Sequence, residues 1–481
     1  VKRRPNASSS FLSTPRFVGS ALAVTAAAAA GFFLSQGSAT AVPGDSQDGG
    51  VASIGPDVIV GAIPDVWKWG ASGGIAAYSF GSTSCNIGNV QLDWVAGTNQ
   101  HPVIPQNLYR LKNGRFEQIG LSWVKHGFCA LQQTLCGTCT PAGQGCISKL
   151  GLGCSDPYDA NLNGQSGNLG PRSEVNASTG FFPYPFTSLP DGGTPSVLRR
   201  RVQVPNTELD PALNPGSVYY AEAQYVHPDD AEAGNDDNNA SYRKVLVGSF
   251  TSGAYNLSLN GATIQQLPAI FAWKDNDPQV TVFNVDSPND GRFYIAYRVT
   301  DNGNGTWHYE FAVQNLNSDR SAGSFSLQIP SGVTVTNVGF HDVNYHTGEV
   351  FSNVDWASSL SGGILSWATE SHATNPNANA IRWSTLYNFR FDADSPPEIG
   401  NGTLGLFKPG AEGAPASLAF AALRPKAKCL ADFNNDGTRD GTDLGYLLGS
   451  WGTDDADVDG DGTTDGSDLA VLLGGWGPCN S

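Results

Sequence analysis

Over most of the chain, apolar residues recur at every second position in short runs closed by Gly, Asn and Pro. The clearest case is 293–299, which passes through Asp301, Asn302, Gly303, Asn304 and Gly305 into 306–313. Successive side chains of a strand point to opposite faces, so Trp307, Tyr309, Phe311 and Val313 share one face, and His308 and Glu310 the other. The Asn/Gly turn between the runs predicts a hairpin. Residues 324–329, 381–383, 387–391 and 403–407 continue the alternation, and their spacing predicts a β-sandwich. Earlier pieces at 74–80, 116–123 and 218–226 also read as strands, separated by a Cys-rich excursion at 129–154 and an acidic stretch at 227–240. The expected fold class is therefore mainly β: a β-sandwich-type body with long loops, divided at 58–280 and 281–425. The first part is free to pack on the second as one larger assembly.

Helical periodicity enters only after residue 440. Leu444, Leu447, Leu448 and Trp451 fall at i, i+3, i+4 and i+7, as do Leu469, Leu472, Leu473 and Trp476, which predicts two amphipathic helices with faces packed together. Each follows a twelve-residue acidic loop, and the two loop–helix units match at 13 of 21 positions, 25 residues apart. They are an internal repeat. Calcium takes six to eight oxygens, and a loop of this length offers them at positions 1, 3, 5, 7, 9 and 12, with Gly at 6. In the first copy these are Asp432, Asn434, Asp436, the Thr438 carbonyl, Asp440 and Asp443, with Gly437 at the turn. In the second they are Asp457, Asp459, Asp461, the Thr463 carbonyl, Asp465 and Asp468, with Gly462. Position 9 often acts through water. The segment 429–481 carries eleven Asp against one Arg, a density that repels itself unless cations neutralise it.

No helix is expected before either loop, and position 12 is Asp where an EF-hand has Glu. Paired loop–helix units of this kind resemble the type I dockerin module, over residues 429–481 only. The resemblance implies a small α-helical module holding two calcium ions, and attachment to a cohesin-like or cell-surface partner. It also implies association with polysaccharide-degrading systems. In that family the partner contact uses loop positions 10 and 11. These are Gly441-Thr442 and Gly466-Ser467 here, so half of each pair has no side chain. Cys429 and Cys479 flank the module and are expected to clasp its ends.

Lys2-Arg3-Arg4, the apolar stretch 17–34 and the small-residue box Ala39-Thr40-Ala41 predict a signal peptide over 1–41, followed by a flexible lead-in over 42–57. A single membrane anchor is the alternative, since the stretch is near the lower limit for spanning. No later segment is long and apolar enough to span. Eight cysteines fit an oxidising destination, and five of them, Cys129, Cys136, Cys139, Cys146 and Cys154, crowd the 129–154 excursion with Cys85 elsewhere. Disulfides are expected there, with a zinc knuckle of Cys136, Cys139, Cys146 and Cys154 as the alternative. A net charge of −17 without a basic patch argues against nucleic acid. The expected address is secreted, or at the surface of a bacterium.

Three places in the body are candidates for chemistry. Glu117, Lys125 and His126 lie near Trp123 on adjoining strands, where acid–base work or sugar binding is one reading and a half-buried hairpin the other. Glu222, His227, Asp229, Asp230, Glu232, Asp236 and Asp237 crowd a strand end and loop, either as a further metal site or as a solvated acidic loop. Gly70-Ala71-Ser72-Gly73-Gly74 matches the hydrolase G-x-S-x-G elbow, but lacks the strand-to-helix context. A glycosidase needs two facing carboxylates, for which Glu117, Glu174 and Glu222 are the candidates. The functional reading is a secreted calcium-binding protein. It is a surface- or scaffold-attached component that binds glycan or protein, or builds structure, in extracellular polysaccharide processing. The alternative is a secreted polysaccharide-degrading enzyme, a glycoside hydrolase or lyase, carrying the same attachment module.

Overall fold

The computed structural model describes residues 53–434 and 436–479. The expected signal peptide 1–41 and the lead-in up to residue 52 lie outside the described residues. The body is mainly antiparallel β, with helices of six residues or fewer before the C-terminal module.

Two five-stranded sheets form a sandwich. One has the order Thr281–Ser287, Gly291–Asp301, Trp307–Asn315, Thr385–Ala393, Val335–His341. The other has the order Ala357–Ser361, Ile364–Ala368, Ala322–Gln328, Pro397–Leu406, Ser417–Pro425. The expected hairpin is present, with Tyr309 opposite Val299 and Phe311 opposite Tyr297. Tyr309, Phe311 and Val313 point into the core between the sheets, where they meet Phe325, Trp367, Leu404 and Phe420. Residues 381–383 are not a strand; Ile381 makes a single bridge to Ala322 before the chain turns, with Ser384 at φ +58°.

A third five-stranded sheet has the order Ala254–Ile264, Ala240–Thr251, Val218–Gln224, Gln106–Lys112, Arg115–Leu121. It covers the outer face of the first sandwich sheet. Tyr109, Phe116, Tyr220 and Trp273 pack there on Tyr294, Ala296, Ala312 and Leu386. The strand Gly291–Asp301 is consequently apolar on both faces, with Phe293 and Ile295 inward and Tyr294 and Ala296 outward. Smaller sheets, including Val58–Ala62 with Ser82–Asn86 and Ser155–Tyr158, close the far side of the third sheet.

The 129–154 excursion is stapled. Cys129 bonds Cys146, Cys139 bonds Cys154, and Cys136 bonds Cys85 on the strand Ser82–Asn86. All four cysteines of the zinc alternative are thus consumed, since a thiolate tied in a disulfide cannot ligate metal. With Cys429–Cys479 the chain has four disulfides, as suits an oxidising compartment. Among the described residues, no helix is long and apolar enough to cross a membrane.

Candidate metal centre

The two acidic loops fold alike. Position 6 needs a backbone that bulky residues avoid, and Gly437 and Gly462 take φ of +86° and +93° there. Those glycines donate their N–H groups back to the position 1 carboxylates, Gly437 to Asp432 at 2.9 Å and Gly462 to Asp457 at 2.7 Å. The chain is thereby wrapped around its own oxygen ligands. Position 3 to position 5 is a tight step in both loops, with Asp436 N donating to Asn434 Oδ1 at 3.1 Å and Asp461 N to Asp459 Oδ1 at 3.2 Å. The position 7 residues Thr438 and Thr463 donate their N–H groups to Asp436 and Asp461, at 2.9 Å in each case.

Asp440 and Asp465 cap the helices Gly441–Gly449 and Gly466–Gly474, accepting from Thr442 N and Ser467 N at 2.7 Å. Asp443 and Asp468 close the capping boxes and are buried. Asp443 also accepts from Phe433 N at 2.7 Å, and Asp468 from Val458 N at 2.6 Å, so position 12 ties the loop entrance to the helix. Desolvation works against the charged form of both carboxyls, yet these backbone N–H groups hold both below the usual range. Asp459 moves the other way, raised by desolvation and by the charges of Asp461, Asp468 and Asp457.

One oxygen each from Asp457, Asp459 and Asp468 lies within 4.8 Å of the others. Three carboxylates converging at that spacing, around an Asp-lined turn with Gly at its apex, suit a hard divalent cation. The first loop has the same frame with an amide oxygen, Asn434, at position 3. The donor set of the second loop therefore suits calcium, and the first presents the same residue types on the same turn.

The helices meet through Leu447 and Leu472, both fully buried, with Leu444 and Leu469 partly buried beside Ala431 and Ala456. The outer half of each expected apolar stripe is not covered. Leu448, Trp451, Leu473 and Trp476 are all about half exposed, as is Tyr446. The cause is length: the helices end at Gly449 and Gly474, so Trp451 and Trp476 fall beyond them, and Leu448 and Leu473 sit at the edge of the stripe that Leu447 and Leu472 bury.

The body candidates are drawn into separate networks. Glu117 pairs with Arg110 at 2.7 Å and Arg115 at 3.5 Å. Burial opposes its charge, but His341 and the two guanidinium groups hold it low. His126 instead bonds His101 at 3.0 Å inside a cage of Phe182, Tyr184 and Phe186, and burial pushes it down to about 3. Lys125 gives its ammonium to the His126 carbonyl at 2.6 Å, beneath Phe128 and Tyr158, and burial lowers it to about 8. Trp123 is buried and donates to the His346 carbonyl at 3.2 Å.

Glu222 accepts from Asn107, Tyr109 and Gln314, each at 2.8 Å, and from Ala269 N at 2.6 Å. His227 caps the helix Pro228–Ala233 and bonds the Asp93 carbonyl at 2.6 Å. Asp229 accepts from Asp93 N, and buried Asp230 from Val58 N, both at 2.8 Å. Asp236 holds Asn317 at 2.7 Å, and Asp237 pairs with Arg292 at 3.1 Å. Glu232 borders a shallow hollow with Asp93 and Lys149. This acidic stretch is spent on tethering. Glu174 accepts from Thr187 N at 3.0 Å. Ser72 ends a strand, and Gly73 and Gly74 turn at φ +59° and +82° into Ile75–Phe80, so the G-x-S-x-G match is a two-residue hairpin.

A row of charges missed by the sequence reading runs between the stacked sheets. His308 bonds Asp392 at 2.6 Å and Glu310 at 3.1 Å, and Glu310 takes Arg115 at 2.9 Å. Only the shared outer face of His308 and Glu310 was visible beforehand; their partners come from strands far away in sequence. The bond to Glu310, against desolvation and with help from Asp392, raises His308 above its ordinary 6.5. A raised folded value means its contribution is complete below about 6.5 and lost as pH climbs through the raised value. The stability difference between the native chain and His308→Gln is therefore expected to shrink as pH rises through that window, measured by urea midpoints. A pH-independent difference would refute this role.

No family model matches the chain, and no curated protein matches it. Among solved structures it is similar to a serine-rich repeat adhesion glycoprotein from Streptococcus agalactiae, at 7% identity and a TM-score of 0.18, covering 72% of this chain and 89% of that one. It is also similar to the B domain of a biofilm associated protein, at 10% identity and a TM-score of 0.14, covering 87% of this chain and 97% of that one. TM-scores this low mark no shared fold.

Proposed function

We propose that residues 426–481 form a dockerin-like module folded around two calcium ions, attaching an exported β-rich body to a surface or scaffold. The observation that supports this most is the convergence of Asp457, Asp459 and Asp468 within 4.8 Å, in a loop whose twin has the same turn, caps and position 12 contacts. The half-exposed Leu448, Trp451, Leu473 and Trp476 suit a docking face for a cohesin-like or cell-surface partner. The body then acts as the binding or structural part, toward a glycan or a neighbouring protein, in extracellular polysaccharide processing. Glu117 is engaged in ion pairs and Glu222 in buried hydrogen bonds, while Glu174 lies apart on an exposed backbone N–H, which favours this reading over hydrolysis. Isothermal titration of the intact chain with calcium is expected to give two saturable sites with Kd of roughly 10⁻⁴–10⁻³ M. A flat titration at millimolar calcium would end the reading.

A further inference from the structure

We propose that the Cys429–Cys479 disulfide is a working part of the first calcium site alone, so that its reduction weakens calcium at the first loop and spares the second. This rests on the calcium reading above and adds a regulation to it.

The two loops are stitched shut by different means. In the second, Thr464 N donates to Thr453 O, Gly452 N donates to Thr464 O at 2.9 Å, and Ala456 N donates to Thr464 Oγ1 at 3.0 Å. That stitch closes a short stretch of chain, since Gly452 and Thr453 lie within a few residues of the loop's start at Asp457. The first loop pairs instead with a distant segment. Thr438 lies opposite Pro478, Arg439 opposite Gly477, and Cys479 N donates to Gly437 O at 2.8 Å. Between the partners run the first helix, the whole second loop and the second helix. Closing so long a segment costs more conformational entropy than closing the short one. The disulfide supplies that closure, and no cysteine lies at the second loop.

Both ends of the bridge also touch the first ligand. Asp432 N donates to Cys429 O at 3.2 Å, and Cys479 Sγ lies 3.5 Å from Asp432 Oδ2, the oxygen that receives Gly437 N. Reduction by an external dithiol breaks the S–S bond, adds two electrons and two protons to give two thiols, and leaves the dithiol as its disulfide. It frees the segment Gly477–Cys479, loosens the Gly437 turn, and releases Asp432 from one of its supports. Coupling between binding and reduction is reciprocal, so calcium in the first loop must protect the bridge by the same factor that the bridge strengthens calcium.

The test uses the intact chain. Calorimetry of Cys429→Ser with Cys479→Ser is expected to show one of two calcium sites weakened by roughly 5–150-fold and the other within about twofold. A second measurement keeps the native cysteines. Limited reduction with dithiothreitol, alkylation and peptide mapping follow Cys429 and Cys479 with calcium or with chelator. Calcium is expected to slow their alkylation in the native chain and in Asp457→Asn, but not in Asp432→Asn. Equal weakening of both sites, no weakening, or protection persisting in Asp432→Asn overturns the proposal. A native chain that binds no calcium at all sinks the calcium reading itself, and the coupling with it, which is a separate result.

Discussion

Asp432→Ala combined with Asp457→Ala is expected to abolish saturable calcium binding by the intact chain. The calcium-dependent protection of helix amides in 441–449 and 466–474 from hydrogen exchange should vanish with it. Both carboxylates hold position 1, and both receive the N–H of the glycine at the turn, so alanine removes a ligand and unpins the loop at once. Apart from the Cys429–Cys479 disulfide, the module has little else to hold it. Its fully or nearly buried apolar residues are Ala431, Leu447, Ala456 and Leu472, too few for a segment of this size to fold on burial alone. Its eleven Asp repel one another at neutral pH, an unfavourable term that two bound divalent cations offset. Affinity in each site is expected to fall by well over tenfold from the millimolar range typical of extracellular loops. Two sites retained in the double variant would show that the ligands lie elsewhere.

Glu222→Gln is expected to destabilise the whole body by roughly 3–5 kcal/mol, the usual cost of leaving a buried charge uncompensated. Four donors converge on the two oxygens of Glu222, from Asn107, Tyr109, Gln314 and Ala269 N. An amide there must turn an NH₂ group toward at least one of those donors. The loss extends further. The other end of Asn107 accepts from fully buried Arg172 at 2.8 Å, and the guanidinium's remaining hydrogen bonds go to the carbonyls of Gln106 and Ser384, at 3.1 Å, and of Ser122. Glu222 is thus one counter-charge of Arg172, reached through an amide relay, beside Glu349, whose carboxylate takes the Arg172 backbone N–H at 2.9 Å, and Gln removes it. Denaturant unfolding of Glu222→Gln beside Glu174→Gln, whose carboxylate lies nearer solvent and should change stability by no more than about 0.5 kcal/mol, separates this from a general cost of mutation. A Glu222 penalty below about 1 kcal/mol would mean that Arg172 is compensated elsewhere.

The strands of the sandwich were legible because one apolar face and one polar face alternate strictly, as Tyr309, Phe311 and Val313 do against His308 and Glu310. The acidic loop–helix repeats were legible because the pattern they follow falls on residues adjacent in sequence. What escaped depends on residues far apart. Nothing local in Glu222 tells that Asn107, Gln314 and Ala269 will surround it, so a structural clamp and a catalytic acid read alike. The same holds for Arg115, which meets Glu310 only after two sheets have stacked. The cysteine pairing followed from compartment, but its connectivity needed the fold. On the helices the apolar spacing marked the elements but overstated the burial, since the pattern runs on to Trp451 and Trp476 while the helices end at Gly449 and Gly474.

The sheet centred on Gly291–Asp301 carries a consequence for how the chain matures. Its outer face, with Tyr294, Ala296, Ala312 and Leu386, is sealed by strands drawn from 106–121 and 218–264, and its inner face by strands reaching to 425. During folding this sheet cannot finish burying itself until residues laid down hundreds of positions apart have met. Such non-local pairing folds slowly, in milliseconds to seconds or longer. Over that interval the apolar residues of both faces stand open to wrong partners, so association before the third sheet closes is the hazard this architecture carries.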